Sequence, residues 1–327
     1  MIQNKLTIIE AKGTPYEIGL KHGSLGKKEV LKSIENYTKM FKTYAKIDWE
    51  EAKTTSRQYI EKIEEFDKDI LEEMRGIADG AGVELEDILA LNARSEVILM
   101  SNRGAQLDGC TSLVALPEYT SEGNTLLAQN WDWKEEQRQA LIYLTIESPN
   151  HPKIMMITEG GIVGKIGFNS SGLGVCLNAL GMDNFNPEGV PLHVVLRGIL
   201  NSSTLSDAIK RVNEIPNACA ANYLMGHGGG EAVSLEKAPH DFDILYPSEG
   251  TLVHSNHFIT PRLRSKDTSR FMFHDTFVRY GRADRLIRKE VGKIDVESFK
   301  KILSDHVEYP DSICRHSDPK DDPEERM

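Results

Sequence analysis

Asp108-Gly109-Cys110-Thr111-Ser112-Leu113-Val114-Ala115-Leu116 marks the point where the chain changes its hydrophobic period. Before it, apolar residues recur every three or four positions. Tyr59, Ile60, Ile63, Phe66, Ile70, Leu71 and Met74 predict a helix over 49–78, ended by Gly80-Ala81-Gly82, and 84–100 carries another. Thr14 followed by Glu17, with Pro15 between, has the spacing of a capping box at an earlier helix start. Residues 14–103 are therefore expected to be mostly helical. After the junction, short alternating runs separated by turn residues predict strands at 111–116, 125–133, 141–147, 153–158, 164–168 and 174–178. Helices are expected at 194–201 and 204–214, strands at 221–225, 231–236, 242–246 and 251–256, and a charged helical stretch over 262–307. Helices, strands, helices, strands, helices: this order predicts one α+β layered domain over 1–327, with antiparallel sheet covered by helices.

The composition narrows the function. At 327 residues, 39% hydrophobic and 27% charged, the chain has the make-up of a globular protein with a sizeable core. A formal net charge of −11 argues against nucleic acid or an anionic membrane as partner. Its apolar runs are strand-sized, too short for a bilayer span. Met1-Ile2-Gln3-Asn4-Lys5 leads straight into the strand pattern Leu6-Thr7-Ile8-Ile9 without a signal-peptide core, so a cytoplasmic location is expected. Cys110, Cys176, Cys219 and Cys314 lie far apart with no CxxC pair and no Cys/His ligand spacing, which excludes a disulfide framework and a zinc ribbon. Cys176 and Cys219 read as small buried hydrophobes.

Two glycine-rich stretches carry no phosphate chemistry. Gly160-Gly161-Ile162-Val163-Gly164-Lys165 has Glu159 where a phosphate loop needs glycine and Ile166 where it needs Ser or Thr. Gly226-His227-Gly228-Gly229-Gly230 lies between two strands; both stretches are expected to be turns. In His254-Ser255-Asn256-His257 the two imidazoles at a strand end point to opposite faces, so no metal site is assigned there.

Cys110 is the candidate nucleophile. Gly109 lacks a Cβ, so its carbonyl can be twisted and approached by the adjacent thiol. Cleavage of the Gly109–Cys110 bond would give Cys110 both a sulfur and an α-amine to serve as its base. Gln129-Asn130-Trp131-Asp132 is expected on the return strand of the same hairpin, bringing Asp132 to the level of Cys110. A papain-like scheme lacks its local signature, because Gly109-Cys110-Thr111-Ser112 has neither the second cysteine nor the aromatic that follows it. A redox-sensing thiol is the remaining rival and predicts reversible oxidation without peptide cleavage.

These residues resemble the acyl-coenzyme A:6-aminopenicillanic acid acyltransferase family (peptidase C45-like), self-processing members of the N-terminal nucleophile hydrolases. The match comprises Asp108-Gly109-Cys110-Thr111, Gln129-Asn130-Trp131-Asp132, Ile157-Thr158-Glu159-Gly160, Gly164-Lys165-Ile166-Gly167-Phe168-Asn169-Ser170, Leu177-Asn178-Ala179-Leu180, His254-Ser255-Asn256-His257 and Tyr309-Pro310-Asp311-Ser312-Ile313-Cys314-Arg315, in family order. The resemblance implies a four-layer αββα sandwich and self-cleavage into a helical fragment 1–109 and a β fragment 110–327. It implies a cofactor-free, metal-free amidohydrolase or acyltransferase that acts on a small acyl amide or acyl-CoA through a Cys110 thioester. Asp132 would be the carboxylate near the nucleophile and Asn256 an oxyanion-hole donor. Thr111, Asn130 and Asn178 are supporting candidates, and Arg315 or Arg326 would be the active-site arginine. The two fragments are expected to stay associated, and assembly with further copies is left open. The chain departs from the family at Ala238, where a serine is expected, and at Arg326-Met327, where relatives continue into further strands. The sheet is therefore expected to lack its last strands and to expose an edge. The alternative reading is an unprocessed, inactive binding module with the same fold.

Overall fold

The computed structural model describes residues 6–101, 109–183 and 185–318. Asp108 and Arg326, both singled out above, lie outside the described residues. In chain order the elements are β1 (Thr7–Lys12), α1 (Pro15–Leu25), α2 (Lys27–Met40), α3 (Trp49–Ser56), α4 (Ile60–Ala81), α5 (Leu85–Asn92), α6 (Arg94–Ser101), β2 (Gly109–Ala115), β3 (Leu126–Asp132), β4 (Leu141–Glu147), β5 (Ile154–Glu159), β6 (Ile166–Asn169) and β7 (Leu173–Ala179). There follow α7 (Leu192–Leu200), α8 (Leu205–Asn213), β8 (Ala221–His227), β9 (Glu231–Ala238), β10 (Asp241–Leu245), β11 (Thr251–His254), α9 (Pro261–Arg264), α10 (Ser269–Met272), α11 (Asp275–Lys289) and α12 (Val296–Leu303). The mixed α+β class and every strand expected from the period change are present.

The expected helix over 49–78 is divided. α3 stops at Ser56, a short 3-10 turn covers Arg57–Tyr59, and α4 resumes at Ile60. Within α4 the backbone of Asp67 leaves the helical region (φ −167°, ψ 103°). Its carboxylate accepts from the Asp69 N–H at 3.1 Å and from Arg211 Nη2 at 2.9 Å. A short acidic side chain that captures nearby backbone competes with the helix ladder, which is why the periodicity continues across a break it does not reveal.

The contacts divide into two compact units. The first comprises Met1–Ala105, Glu136–Ser171 and Phe185–Cys219. Its strands run β1-β4-β5-β6, with β1 parallel to β4 and the other neighbours antiparallel. α1 begins with the predicted capping box: the Glu17 N–H donates to Thr14 Oγ1 and the Thr14 N–H to Glu17 Oε2. α1 and α4 cross at four glycines. A Cβ on Gly19 would stand 2.0 Å from the Glu73 carbonyl oxygen, and one on Gly76 would stand 2.2 Å from that of Tyr16. Gly23 and Gly80 meet Ile77 O and Leu20 O at 2.2 and 2.3 Å in the same sense. Hydrogen in place of a side chain lets the two backbones touch.

The Glu159 and Lys165 motifs lie in this unit. Fully buried Glu159 accepts from the Tyr37 hydroxyl and from Lys165 Nζ at 3.1 Å, with Arg94 Nη2 at 3.7 Å. Burial works to raise the Glu159 pKa, but Lys165 and Arg94 together hold it below the usual carboxylate range. Gly160-Gly161 forms the turn expected of it.

The second unit comprises Gln106–Glu135, Gly172–Asn184 and Ala220–Met327. It contains an antiparallel β7-β8-β9-β10 run and a three-stranded sheet ordered β11-β2-β3. β2 is buried along its whole length and packs apolar side chains on both faces. Leu113 and Ala115 face α11 and α12, among Ala283, Ile287, Phe299 and Ile302. Val114 faces the other way, with Cys176, Leu224, Ala232 and Leu252. The three-stranded sheet is thus sandwiched between strands and helices, which explains its nearly continuous apolar run. Among the described residues no helix is long and apolar enough to cross a membrane.

Candidate active site

Strand alternation assigns the polar residues of β2 to two faces. Cys110 and Ser112 share the Val114 face; Gly109 and Thr111 share the Leu113 face. In the antiparallel ladder Gly109 is opposite Asp132, Cys110 opposite Trp131 and Thr111 opposite Asn130. The expected hairpin therefore forms, and Asp132 returns beside the Gly109–Cys110 junction. A Cβ on Gly109 would lie 3.1 Å from Asp132 Oδ2 and 3.6 Å from Arg315 Cδ. The Trp131 and Trp133 rings stack with centroids 6.4 Å apart.

The backbone of Cys110, a fully buried residue, is held at both ends. Its N–H donates to Asn256 Oδ1 at 2.9 Å. Its carbonyl accepts from Arg279 Nη1 at 2.7 Å. Asn256, just past the end of β11, fixes its own amide by donating Nδ2 to Ala179 O at 3.0 Å, and its N–H donates to Thr276 Oγ1 at 2.7 Å.

Arg279 on α11 is the functional residue that sequence reasoning missed. Its guanidinium is buried and reaches four partners. Besides Cys110 O, it donates to Thr111 Oγ1 at 3.1 Å, Asn256 Oδ1 at 2.9 Å and Asp275 Oδ2 at 2.7 Å. The planar fork of arginine suits this divergent set, which a lysine ammonium cannot span. The one available signal was an i,i+4 pair with Asp275, and in so charged a helix that reads as a solvated face. Arg315, expected with Arg326 as one of two candidates for the active-site arginine, joins the same carboxylate at 3.0 Å and also pairs with Asp311 at 2.7 Å.

The remaining candidates support the frame. Asn130 donates Nδ2 to both Leu303 O (2.7 Å) and Ile313 O (2.8 Å), tying β3 to the segment that carries Arg315. Asn178 Oδ1 accepts from Ser112 Oγ at 2.7 Å and from Asn222 Nδ2 at 3.1 Å, and Ser234 Oγ donates to Asn222 Oδ1 at 2.6 Å. This buried chain of amides and hydroxyls fixes β2 against β7–β9. His254 and His257 are engaged separately: His254 Nε2 with Glu236 Oε1 at 2.9 Å, His257 Nδ1 with Thr276 Oγ1 at 3.0 Å. Glu236 also accepts from the Ile259 N–H and from the Thr260 N–H and hydroxyl. Burial works to raise its pKa, but His254 first, then the Thr260 hydroxyl and the Ile259 N–H, hold it below the usual carboxylate range. Ala238 packs among the apolar side chains Leu180, Ala220, Phe258 and Leu263.

A buried cysteine heading an interior strand, with both peptide atoms clamped by an asparagine and an arginine, defines the centre of this mixed α+β protein. The chain belongs to the acyl-coenzyme A:6-aminopenicillanic acid acyl-transferase family, whose profile matches residues 119–325, downstream of Cys110. It is 34% identical over 310 residues to the acyl-coenzyme A:6-aminopenicillanic-acid-acyltransferase 40 kDa form of Emericella nidulans, covering 94% of this chain and 84% of that protein. Two solved structures are similar at lower levels. Penicillin V acylase from Agrobacterium tumefaciens matches at 10% identity and a TM-score of 0.34, over 61% of this chain and 65% of that one. A variant of conjugated bile acid hydrolase from Clostridium perfringens matches at 12% identity and a TM-score of 0.31, over 60% of this chain and 72% of that one.

Proposed function

We propose that the chain is a self-processing cysteine amidohydrolase or acyltransferase of the N-terminal nucleophile type. The observation that carries this reading is the clamp on Cys110: the nitrogen that cleavage would release already has its acceptor in Asn256 Oδ1. In processing, the Cys110 thiol adds to the Gly109 carbonyl carbon and its proton passes to the Cys110 nitrogen. The peptide bond breaks to leave a thioester between Gly109 and Sγ. Water then hydrolyses that thioester, giving a Gly109 carboxylate, the thiol and an α-amine on Cys110.

The α-amine, with an ordinary pKa of about 7.7–8.0, takes the thiol proton and later returns it to the leaving amine of the substrate. The Arg279 charge on the same residue's carbonyl favours the neutral, basic form of that amine. Asp132, beside Gly109, supplies the nearby carboxylate. Asn256 serves first as acceptor for the Cys110 nitrogen, and its Nδ2 reaches an oxyanion by giving up Ala179 O. Such a donor contributes about 3 kcal/mol to the transition state. The substrate is a small acyl amide or acyl-CoA thioester; hydrolysis is preferred over transfer, because no β-lactam pocket is legible in the sequence.

Intact mass and a denaturing gel test the processing step. Wild type is expected as 1–109 and 110–327, and Cys110→Ala as a single chain. A panel of N-acyl amides and acyl-CoA thioesters, run with both proteins, tests turnover. Uncut wild type that turns over none of the panel would overturn the proposal and favour the binding-module reading.

A further inference from the structure

Along the chain Cys314 stands in no paired metal-ligand spacing with a cysteine or histidine. The fold nevertheless brings His306, Cys314 and His316 together: one ligand atom of each lies within 4.8 Å of the other two. We propose that His306, Cys314 and His316 form a site for one Zn2+ ion, with water at the fourth position.

The distances fit. A tetrahedral zinc with Zn–S of about 2.3 Å and Zn–N of about 2.05 Å places sulfur and nitrogen ligands about 3.5 Å apart and two nitrogens about 3.3 Å apart. Cys314 Sγ stands 3.6 Å from His316 Nε2, and the Nε2 atoms of His306 and His316 are 2.9 Å apart. The third pair, Cys314 and His306, lies within 4.8 Å, so side-chain rotation has to draw it in for the tetrahedron to close. The imidazole rings lie with centroids 5.0 Å apart and present their Nε2 atoms to each other. The donor set selects the ion: two imidazoles and a thiolate suit zinc and are foreign to Mg2+ or Ca2+, which take oxygen.

The turn that carries the ligands is built before any ion arrives. The Cys314 N–H donates to Asp305 O and the His316 N–H to Pro310 O, both at 3.0 Å, and Ser312 Oγ donates to Cys314 O at 2.6 Å. Asn130 grips the carbonyls of Leu303, ahead of His306, and Ile313, next to Cys314. The Asp305 carboxylate is paired with Arg282 at 3.1 and 2.7 Å. Side-chain freedom is thus the main thing binding has left to remove. His306 and His316 are exposed, so the ion enters from solvent. The site adjoins the catalytic candidates: Arg315 lies between two of its ligands and Asp132 is near enough to Cys314 to act on its thiol, so a bound ion would stiffen the Arg315 segment.

The test titrates chelator-treated full-length protein with Zn2+ and, separately, with Co2+. Wild type is expected to bind one Zn2+ per chain. Cys314→Ser and the double variant His306→Ala/His316→Ala should weaken binding at least about 100-fold, beyond the effect of losing an outer-shell partner. Co2+ should give a thiolate-to-metal charge-transfer band that vanishes in Cys314→Ser. Cys110→Ala, cleaved or not, should keep both the stoichiometry and the band. Far-ultraviolet circular dichroism checks folding, and His306→Gln provides a milder variant with the same expected loss. Absence of stoichiometric binding, unchanged affinity in the Cys314 and double variants, or a band lost in Cys110→Ala would each overturn the proposal.

Discussion

Position 109 is tight against Asp132. A Cβ there meets Asp132 Oδ2 at 3.1 Å and Asp132 Cβ at 3.3 Å, while the flexible Arg315 chain stands farther off at 3.6 Å. Gly109→Ala should need only a small shift of Asp132. Gly109→Val adds two methyls in the same space and should slow processing at least tenfold relative to Gly109→Ala, measured as the intact fraction by mass at fixed times. Equal rates for the two variants would remove the steric role of the position. Arg279 allows a second prediction. Deleting the guanidinium removes the charged donor from the Cys110 carbonyl and from Asn256 Oδ1, while Asp275 keeps Arg315, and losing a hydrogen bond to a charged group costs about 1.5–3 kcal/mol. Arg279→Ala should lower stability to urea by that order, and Arg279→Lys, which keeps the charge but not the fork, by less. A variant as stable as wild type would show that the clamp is ornamental to the fold.

At the scale of elements, contacts within one stretch of chain were legible and contacts between distant stretches were not. The strands after residue 110 could be placed because their period is two and their turns are rich in glycine and asparagine. The capping box at Thr14 and the hairpin returning Asp132 to Gly109 were equally local, and both are present. The crossing of α1 on α4 was invisible, because Gly19 and Gly23 acquire meaning only when Gly76 and Gly80 face them across more than fifty residues. Arg279 was hidden for the same reason: its partners lie on β2 and beyond β11, and its own helix looks merely charged. The break at Asp67 likewise depends on Arg211, far along the chain. The crossing makes a direct prediction. Gly76→Ala would place its Cβ 2.2 Å from the Tyr16 carbonyl oxygen, which is backbone and yields only if α1 moves. Overpacking of this kind costs about 1–3 kcal/mol. The exposed Gly281, whose added Cβ meets nothing within 4 Å, is the control: Gly281→Ala should be neutral or mildly stabilising in the same urea titration.

At the scale of the whole molecule, buried histidines link stability to pH. His22, in the first unit, accepts from the Gly161 N–H through Nε2, and its Nδ1 has no hydrogen-bond partner among the described residues. Burial, aided by the Arg197 charge, lowers its pKa to about 3. His257, in the second unit, is lowered to about 3 by burial first and by the His254 charge next. Unfolded histidine titrates near 6.5, so between about pH 6.5 and 3 the unfolded chain binds protons that the folded chain refuses. Stability from these groups is fully present above about pH 6.5 and is lost as pH falls toward 3. Each contributes a fall of about 2 kcal/mol between pH 7 and pH 5. Glu96 and Asp267 oppose the trend, since burial raises both carboxyls and the stability they give is lost as pH rises through their folded values. The comparison is therefore made between proteins that share those carboxyls. His22→Gln replaces the titrating ring with a neutral amide, so its loss of stability between pH 7 and pH 5 should be smaller than that of wild type by about 2 kcal/mol. Urea titrations at the two pH values, analysed as the difference of differences, measure this directly; an unchanged difference would mean that His22 takes its proton in the folded state.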